Sequence, residues 1–310
     1  MNNFDKLKIV TNIENITIGD YQAFQCNSRF DEVLYYKYQQ KAPNSLLIMV
    51  NYQHNELVIE FTSKILKGGF AKLINKETIK ECLHNISNLG VCKLDIDSIL
   101  NDGQVVKCDV TKDITTDINL VKATIKQNLS NYSKWIVKNY NNGIVLENVV
   151  STPCYKKRLT IYDKQKELCK IGNLNFINSV ENGALINDAF KGKVRFELNI
   201  NTKKQIRQLL NIPNNNLQSV LESRTNPILT VIDEAIKFQP QHSRTKNLRD
   251  YERELLLQSC DFNLVKVEAV VRSLINKNTS ITRAMQPYKD LIKLINTTDT
   301  PMFDLRKLVS

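Results

Sequence analysis

The chain has 310 residues, of which 42% are hydrophobic and 24% charged, with a formal net charge of +11 at pH 7. These proportions exclude a disordered or fibrous chain and suit a globular protein of one large domain or two smaller ones. The positive excess favours a polyanionic partner, nucleic acid before an acidic membrane surface, although a solubility charge accounts for it as well.

In chain order, Met1-Asn-Asn-Phe-Asp-Lys6 has no apolar signal core, and no window reaches the length of a membrane span. A cytoplasmic protein with no membrane partner is therefore expected. Residues 1 to about 62 read mostly as strands. Leu34 to Gln40, Ser45 to Tyr52 and Glu56 to Thr62 are the clearest, with turns at Pro43-Asn44 and His54-Asn55, as in an antiparallel meander. Gly68-Gly69 breaks the chain as a tight turn or as a place where backbone amides approach phosphate. Ile79, Leu83 and Ile86 space a helix from about Glu77 to Asn88, which Gly90 stops.

A strand then covers Val105 to Thr111, a helix roughly Asp117 to Lys138, and a strand Ile144 to Val150. After Pro153 comes a strand from Arg158 to Lys164. Residues 165 to 192 read as an insertion of loop character with a short helix near its end. The strand Val194 to Ile200 runs into a helix from its N-cap candidate Thr202 to Leu210, and Pro213 with Asn214-Asn215-Asn216 ends that unit.

The rest reads as helical. One or two helices occupy Leu217 to Lys237, and a linker spans Pro240 to Arg244. Helices follow at Leu248 to Ser259, Leu264 to Ile275 and Ile281 to Ile295. The last two, joined by Asn276-Lys-Asn-Thr279, suit either a helix-turn-helix or plain helical packing. The order predicts an α+β fold, with an antiparallel sheet and flanking helices over residues 1–238 and a small helical C-terminal domain over 239–310.

Four strands alternate cleanly between faces. Leu57, Ile59 and Phe61 oppose Glu60. Val106, Cys108 and Val110 oppose Asp109. Leu159 and Ile161 oppose Arg158, Thr160, Tyr162 and Lys164. Val194, Phe196, Leu198 and Ile200 oppose Arg195, Glu197 and Asn199. If the strands join one sheet, Glu60, Asp109 and Glu197 share a face with Tyr162, and three acids there repel unless a cation lies between them. The seven cysteines include no CxxC pair and no matching histidine pair, which argues against zinc. Cys82, Cys92 and Cys108 sit in apolar patterns, as buried reduced thiols do.

The ordered set Val58-Ile-Glu60-Phe61, Lys67-Gly-Gly69, Leu89-Gly90, Val106-Lys-Cys-Asp109-Val-Thr111, Leu159-Thr-Ile-Tyr162-Asp-Lys164 and Val194-Arg-Phe-Glu197-Leu198 resembles the rolling-circle replication initiators of filamentous phages. It is more distantly similar to Rep_trans plasmid initiators and relaxases. The likeness spans roughly residues 45 to 212, with a faint continuation at Leu248-Arg-Asp-Tyr-Glu-Arg253. It implies a Rep-like nicking and joining domain that cuts one strand of an origin, stays joined to the 5′ phosphate through a tyrosine and later rejoins the strand. Host helicase and polymerase would be further partners. Carried over by position, Tyr162 matches the nucleophile, and Glu60, Asp109 and Glu197 match acidic positions assignable to a divalent metal. The His-hydrophobic-His pair of many such nucleases is missing from this sequence, so carboxylates remain as ligands, suited to Mg²⁺ or Mn²⁺.

The residues themselves support such chemistry. A phenol is a weak nucleophile at neutral pH, and Lys164 on the same face would favour the phenolate. Arg158 or Arg195 would fork the scissile phosphate, and Lys156, Lys157 and Arg158 with Lys203, Lys204 and Arg207 form basic clusters for DNA. Tyr155, Tyr132 and Tyr140 compete as nucleophiles, and His54 is a conceivable proton carrier. Each of these also has an ordinary reading as a packing residue or a solvated charge. The alternative function is a non-catalytic basic DNA-binding replication protein or a virion-associated protein.

Overall fold

The structure, a computed structural model, describes residues 2–128, 134–150, 152, 155–236, 247–260, 263–275, 280–297 and 305–310. The expected turn residue Pro153, the linker at 240–244, the 276–279 turn and Tyr132 lie outside these residues.

The fold is mixed α and β, built on a large antiparallel sheet. Its strands are β1 (Asn3–Asn12), β3 (Gln25–Arg29), β4 (Glu32–Gln40), β5 (Leu46–Asn51), β6 (Glu56–Thr62), β8 (Gln104–Thr115), β9 (Trp135–Tyr140), β10 (Gly143–Asn148), β11 (Arg158–Asp163) and β12 (Lys193–Ile200). Their order is β3-β4-β5-β6-β1-β8-β12-β11-β10-β9, and β2 (Ile16–Ile18) pairs apart with β7 (Cys92–Leu94). The meander expected from residues 34 to 62 is β4-β5-β6. The long-range step is the insertion of β1 between β6 and β8, which joins the meander to the later strands.

The alternation read from the sequence sorts the faces. Leu57, Ile59, Phe61, Cys108, Val110, Leu159, Ile161, Phe196, Leu198 and Ile200 are all buried, together with Phe4, Leu7 and Ile9 of β1. Burying each large apolar side chain is worth roughly 1.5–3 kcal/mol, so this face fixes which way every strand turns. Val106 departs from the pattern and is only half-buried, because the β1–β8 register shifts between Lys8 and Ile9.

The helices are α1 (Ile79–Ser87), α2 (Ile96–Asp102), α3 (Ile118–Asn128), α4 (Lys164–Leu168), α5 (Ile171–Ser179), α6 (Gly183–Ala189), α7 (Lys203–Leu210), α8 (Leu217–Glu222), α9 (Pro227–Ala235), α10 (Leu248–Ser259), α11 (Leu264–Leu274), α12 (Ile281–Thr297) and α13 (Leu305–Val309). Thr202 caps α7 as expected, its hydroxyl accepting from the Gln205 amide.

Two expectations are corrected. The helix predicted over Asp117 to Lys138 is α3 alone, and Trp135 begins strand β9, which turns at Asn141-Asn142 into β10. Tyr140-Asn-Asn-Gly143 is a hairpin signal that outweighs the helical spacing before it. In the insertion at 165–192 the short helix expected near its end is α6, while the part expected as loop holds two further helices, α4 and α5. Leu168, Phe176, Ile186 and Phe190 pack with Phe70 of the 3-10 stretch Ser63–Lys72. No single one of these helices is long enough to show a period.

Two compact units are distinguished: residues 1–122, 130–236 and 305–310 form one, and residues 123–129 with 237–304 form the other. Helices α10, α11 and α12 share the buried residues Leu257, Cys260, Val267, Val271, Met285 and Leu291. The terminal α13 packs on α9 and β8 of the first unit, whereas the sequence placed it with the helical C-terminal domain. No helix among the described residues is long and apolar enough to cross a membrane. Cys82, Cys92 and Cys108 are buried free thiols, and burial pushes the Cys92 thiol up to about 11.

Candidate active site

Cross-strand register assembles the polar face. Lys8 lies opposite Glu60 and Lys6 opposite Asp109. Further along, Asn199 lies opposite Asp109, Thr160 opposite Glu197, Tyr162 opposite Arg195, and Gly143 opposite Tyr162. The Tyr162 hydroxyl donates to Glu197 Oε2 at 2.8 Å. Asn199 Nδ2 donates to Asp109 Oδ1 at 2.8 Å and reaches Glu197 Oε1 at 3.5 Å, so one amide stands between two acids. Gly143 is required beneath the tyrosine: a Cβ there would collide with the Ile161 carbonyl and come within 2.8 Å of Tyr162 Cβ.

Burial, then the charges of Asp5 and Asp109, push the Glu197 carboxyl up to about 7. Asp109 is also raised, by burial, with the Asn199 hydrogen bond opposing. Burial, then the neighbouring Glu197 charge, holds the Tyr162 phenol well above 10. At rest the proton therefore belongs to the phenol, and Glu197 is the group placed to take it. The expectation that Lys164 favours the phenolate is corrected. Its buried ammonium donates to Glu167 Oε2 at 2.7 Å and stands 5.7 Å from the Tyr162 ring centroid, so its ion pair is with Glu167 and not with the phenol.

Arg195 is corrected as well. Its side chain is fully buried, with Nε and Nη2 each donating to Asp113 at 2.7 Å and Nη1 to Asp5 Oδ1 at 2.7 Å. Phe70 and Phe190 flank the guanidinium at 5.7 and 5.4 Å. With its donors committed, it is a structural cation and not a phosphate fork. Asp5, which sequence reading missed, also accepts from Ser63 Oγ at 2.8 Å. It reaches the polar face because β1 bulges between Phe4 and Lys6. The only sequence signal is the broken alternation Phe4-Asp-Lys-Leu7.

The acidic trio does not gather. Glu60 lies on β6, separated from Glu197 by β1 and β8, and pairs with Lys6 and with Lys8 at 3.6 Å. Burial opposes its charge, but the Lys6 hydrogen bond and the charges of Lys6, Lys8 and Lys107 prevail and lower its pKa. Among the described residues no group of three or more His, Cys, Asp or Glu side chains is assembled to hold an ion. Asp109 and Glu197 meet through Asn199, while Glu60 is satisfied elsewhere, so these residues do not fit the expected Mg²⁺ or Mn²⁺ cage.

The basic residues divide. Lys156 (2.8 Å) and Arg158 (3.7 Å) converge with Lys138 on the buried Glu147, and Lys157 pairs with Glu234. Lys203, Lys204 and Arg207 are exposed on α7. Tyr155 is exposed at the surface, Tyr140 is exposed and lines the Tyr162 cavity, and His54 sits in the exposed β5–β6 turn. That cavity, about 380 Å³, is lined by Tyr162, Glu197, Asp5, Lys64, Lys164 and Lys170, among others. No family model, curated protein or solved structure matches this chain.

Proposed function

We propose that the chain is a tyrosine-dependent DNA strand transferase that opens and rejoins one strand at a replication origin, the activity its resemblance to rolling-circle initiators implies. The observation that carries this reading is the 2.8 Å hydrogen bond from the Tyr162 phenol to a carboxylate whose pKa lies near 7, at the wall of an open cavity. A base poised near ambient pH is what activation of a weak phenol requires.

In this mechanism Glu197 removes the phenolic proton as Tyr162 Oη attacks phosphorus. The bond from phosphorus to the 3′ oxygen breaks, and the 3′ oxygen leaves as a hydroxyl by taking up a proton from solvent water in the open cavity. One phosphodiester replaces another, so rejoining needs no nucleotide triphosphate. In reverse, the 3′ hydroxyl attacks, its proton passing to solvent water, and Glu197 returns its own proton to the departing phenolate. Asn199 holds Glu197 with Oε2 toward the phenol. Lys203, Lys204 and Arg207 supply sequence-independent contacts to the DNA backbone. Host helicase and polymerase complete the proposed set of partners, in a cytoplasm.

The test is a supercoiled plasmid carrying the element's own replication region, incubated with the full chain and Mg²⁺, Mn²⁺ or EDTA. Nicked circles with protein attached to the 5′ end are expected, and Tyr162→Phe abolishes them. Salt-dependent binding without nicking in any of the three conditions would favour the non-catalytic DNA-binding reading.

A further inference from the structure

We propose that Lys64 is the contact for the scissile phosphate, a role that rests on the strand-transfer reading and names a residue to do what Arg195 cannot. Lys64 follows β6 directly, in the 3-10 stretch Ser63–Lys72, and its neighbour Ser63 is tied to Asp5. Its side chain enters the same cavity as the Tyr162 phenol and Glu197.

Of the other cations around this cavity, two are committed to carboxylates and one is open to solvent. Lys164 is paired with Glu167, Arg195 with Asp5 and Asp113, and Lys170 stands exposed. Lys64 differs from all three. It is half-buried, and its Nζ donates to a neutral partner, Asn173 Oδ1, at 2.7 Å. The Phe176 ring lies 5.7 Å from the same nitrogen. No carboxylate pairs with it within 4 Å among the described residues. Burial weakens its ammonium; the Glu167 charge opposes this, the nearby Lys164 adds to it, and Asp5 opposes it.

A cation taken partly out of water and anchored by an amide is an incomplete ion pair. An anion in the cavity would complete it. A phosphodiester carries one negative charge that grows as the phenol attacks, so an ammonium fixed beforehand binds the transition state more strongly than the ground state. Asn173 fits the same logic. Its own Nδ2 donates to the Glu167 backbone carbonyl at 2.9 Å and to Glu167 Oε1 at 2.5 Å, which fixes its oxygen toward Lys64 and keeps the Glu167 carboxylate one amide away from the ammonium.

The experiment uses the full chain with a single-stranded oligonucleotide spanning the nick mapped for the wild type, and the same oligonucleotide with a neutral methylphosphonate at the scissile position. Lys64→Met keeps the apolar stem and removes the charge; Lys64→Arg keeps the charge. On the phosphodiester, Lys64→Met is expected to slow covalent adduct formation about 10²–10³-fold. Lys64→Arg should recover most of that loss. On the methylphosphonate, the wild type and Lys64→Met should react alike. The salt slope of oligonucleotide binding should also fall by about 0.7 in Lys64→Met.

Equal losses on both substrates would reduce Lys64 to a packing residue, and an unchanged rate on the phosphodiester would remove it from the site. Absence of adduct in the wild type is a different failure, one that overturns the strand-transfer reading and this role with it.

Discussion

Glu60 and Glu197 look alike in sequence. Each is an acid on the polar side of a strand whose other side is buried, and both strands belong to the same sheet face. Yet Glu60 meets Lys6 and Lys8, and its carboxyl is held below the usual range. Glu197 meets a phenol, an amide and the charges of Asp5 and Asp109, and it is pushed up to about 7. One half of the face is an ordinary charge-paired surface and the other is poised to exchange a proton. The difference lies in what the neighbouring strands bring alongside: lysines of β1 in one case, acids and Tyr162 in the other.

The largest effect that would break this comparison is chemical. Tyr162→Phe should lower 5′-adduct formation at least about 10⁴-fold, read by the shift of labelled DNA on a denaturing gel. Persistent adduct would move the nucleophile to Tyr140 or Tyr155. Glu197→Gln should follow, with a loss of about 10²–10⁴-fold.

The pH dependence sharpens the assignment. Glu197 works deprotonated, so the wild-type rate should rise with pH and level off above about 7. A rate that is flat from pH 5 to 8 would dismiss it as the base. The stability effect has the opposite sense. Because its folded pKa lies above the unfolded one, the native state favours the protonated acid, and stability is lost as pH rises from about 4.5 through 7. Glu197→Gln should therefore melt higher than wild type at pH 8, with the gap closing by pH 5.

Arg195→Ala should cost about 3–5 kcal/mol in urea unfolding, since it removes a fully buried side chain and leaves the half-buried Asp5 and Asp113 without their cation. A variant of native stability with weakened DNA binding would restore the phosphate-fork role. The smallest effect should come from Glu60→Gln. Removing a partly exposed partner of two lysines should change stability by less than about 1 kcal/mol. Adduct formation should stay within a few-fold of wild type. Strong loss of activity there would return Glu60 to the site and erase the contrast with Glu197.

Much of this was legible beforehand. The strands that carry Glu60, Asp109, Tyr162 and Glu197 were readable because their apolar sides alternate, with Val106 the exception at a register shift. The helices α7 and α1 showed a cap or a clear period. What escaped had no local period to betray it. Asp5 enters through a bulge, which breaks alternation where alternation is the signal. The helices α4 to α6 divide one aromatic cluster among three short segments. Strand β9 is defined by pairing with β10, and the approach to it reads as a helix.

By itself the sequence determined which side of each strand faces the core, because side-chain direction repeats every two residues and burial selects one side. It thereby determined that a phenol and several acids share the opposite side. Which of them touch was decided by the tertiary structure alone. The order β6-β1-β8-β12-β11 places Lys6 and Lys8 between Glu60 and the rest, and it sets Tyr162 against Glu197. Those adjacencies arise from strands distant in the chain, and a pattern with a period of two carries no information about which strand lies next to which.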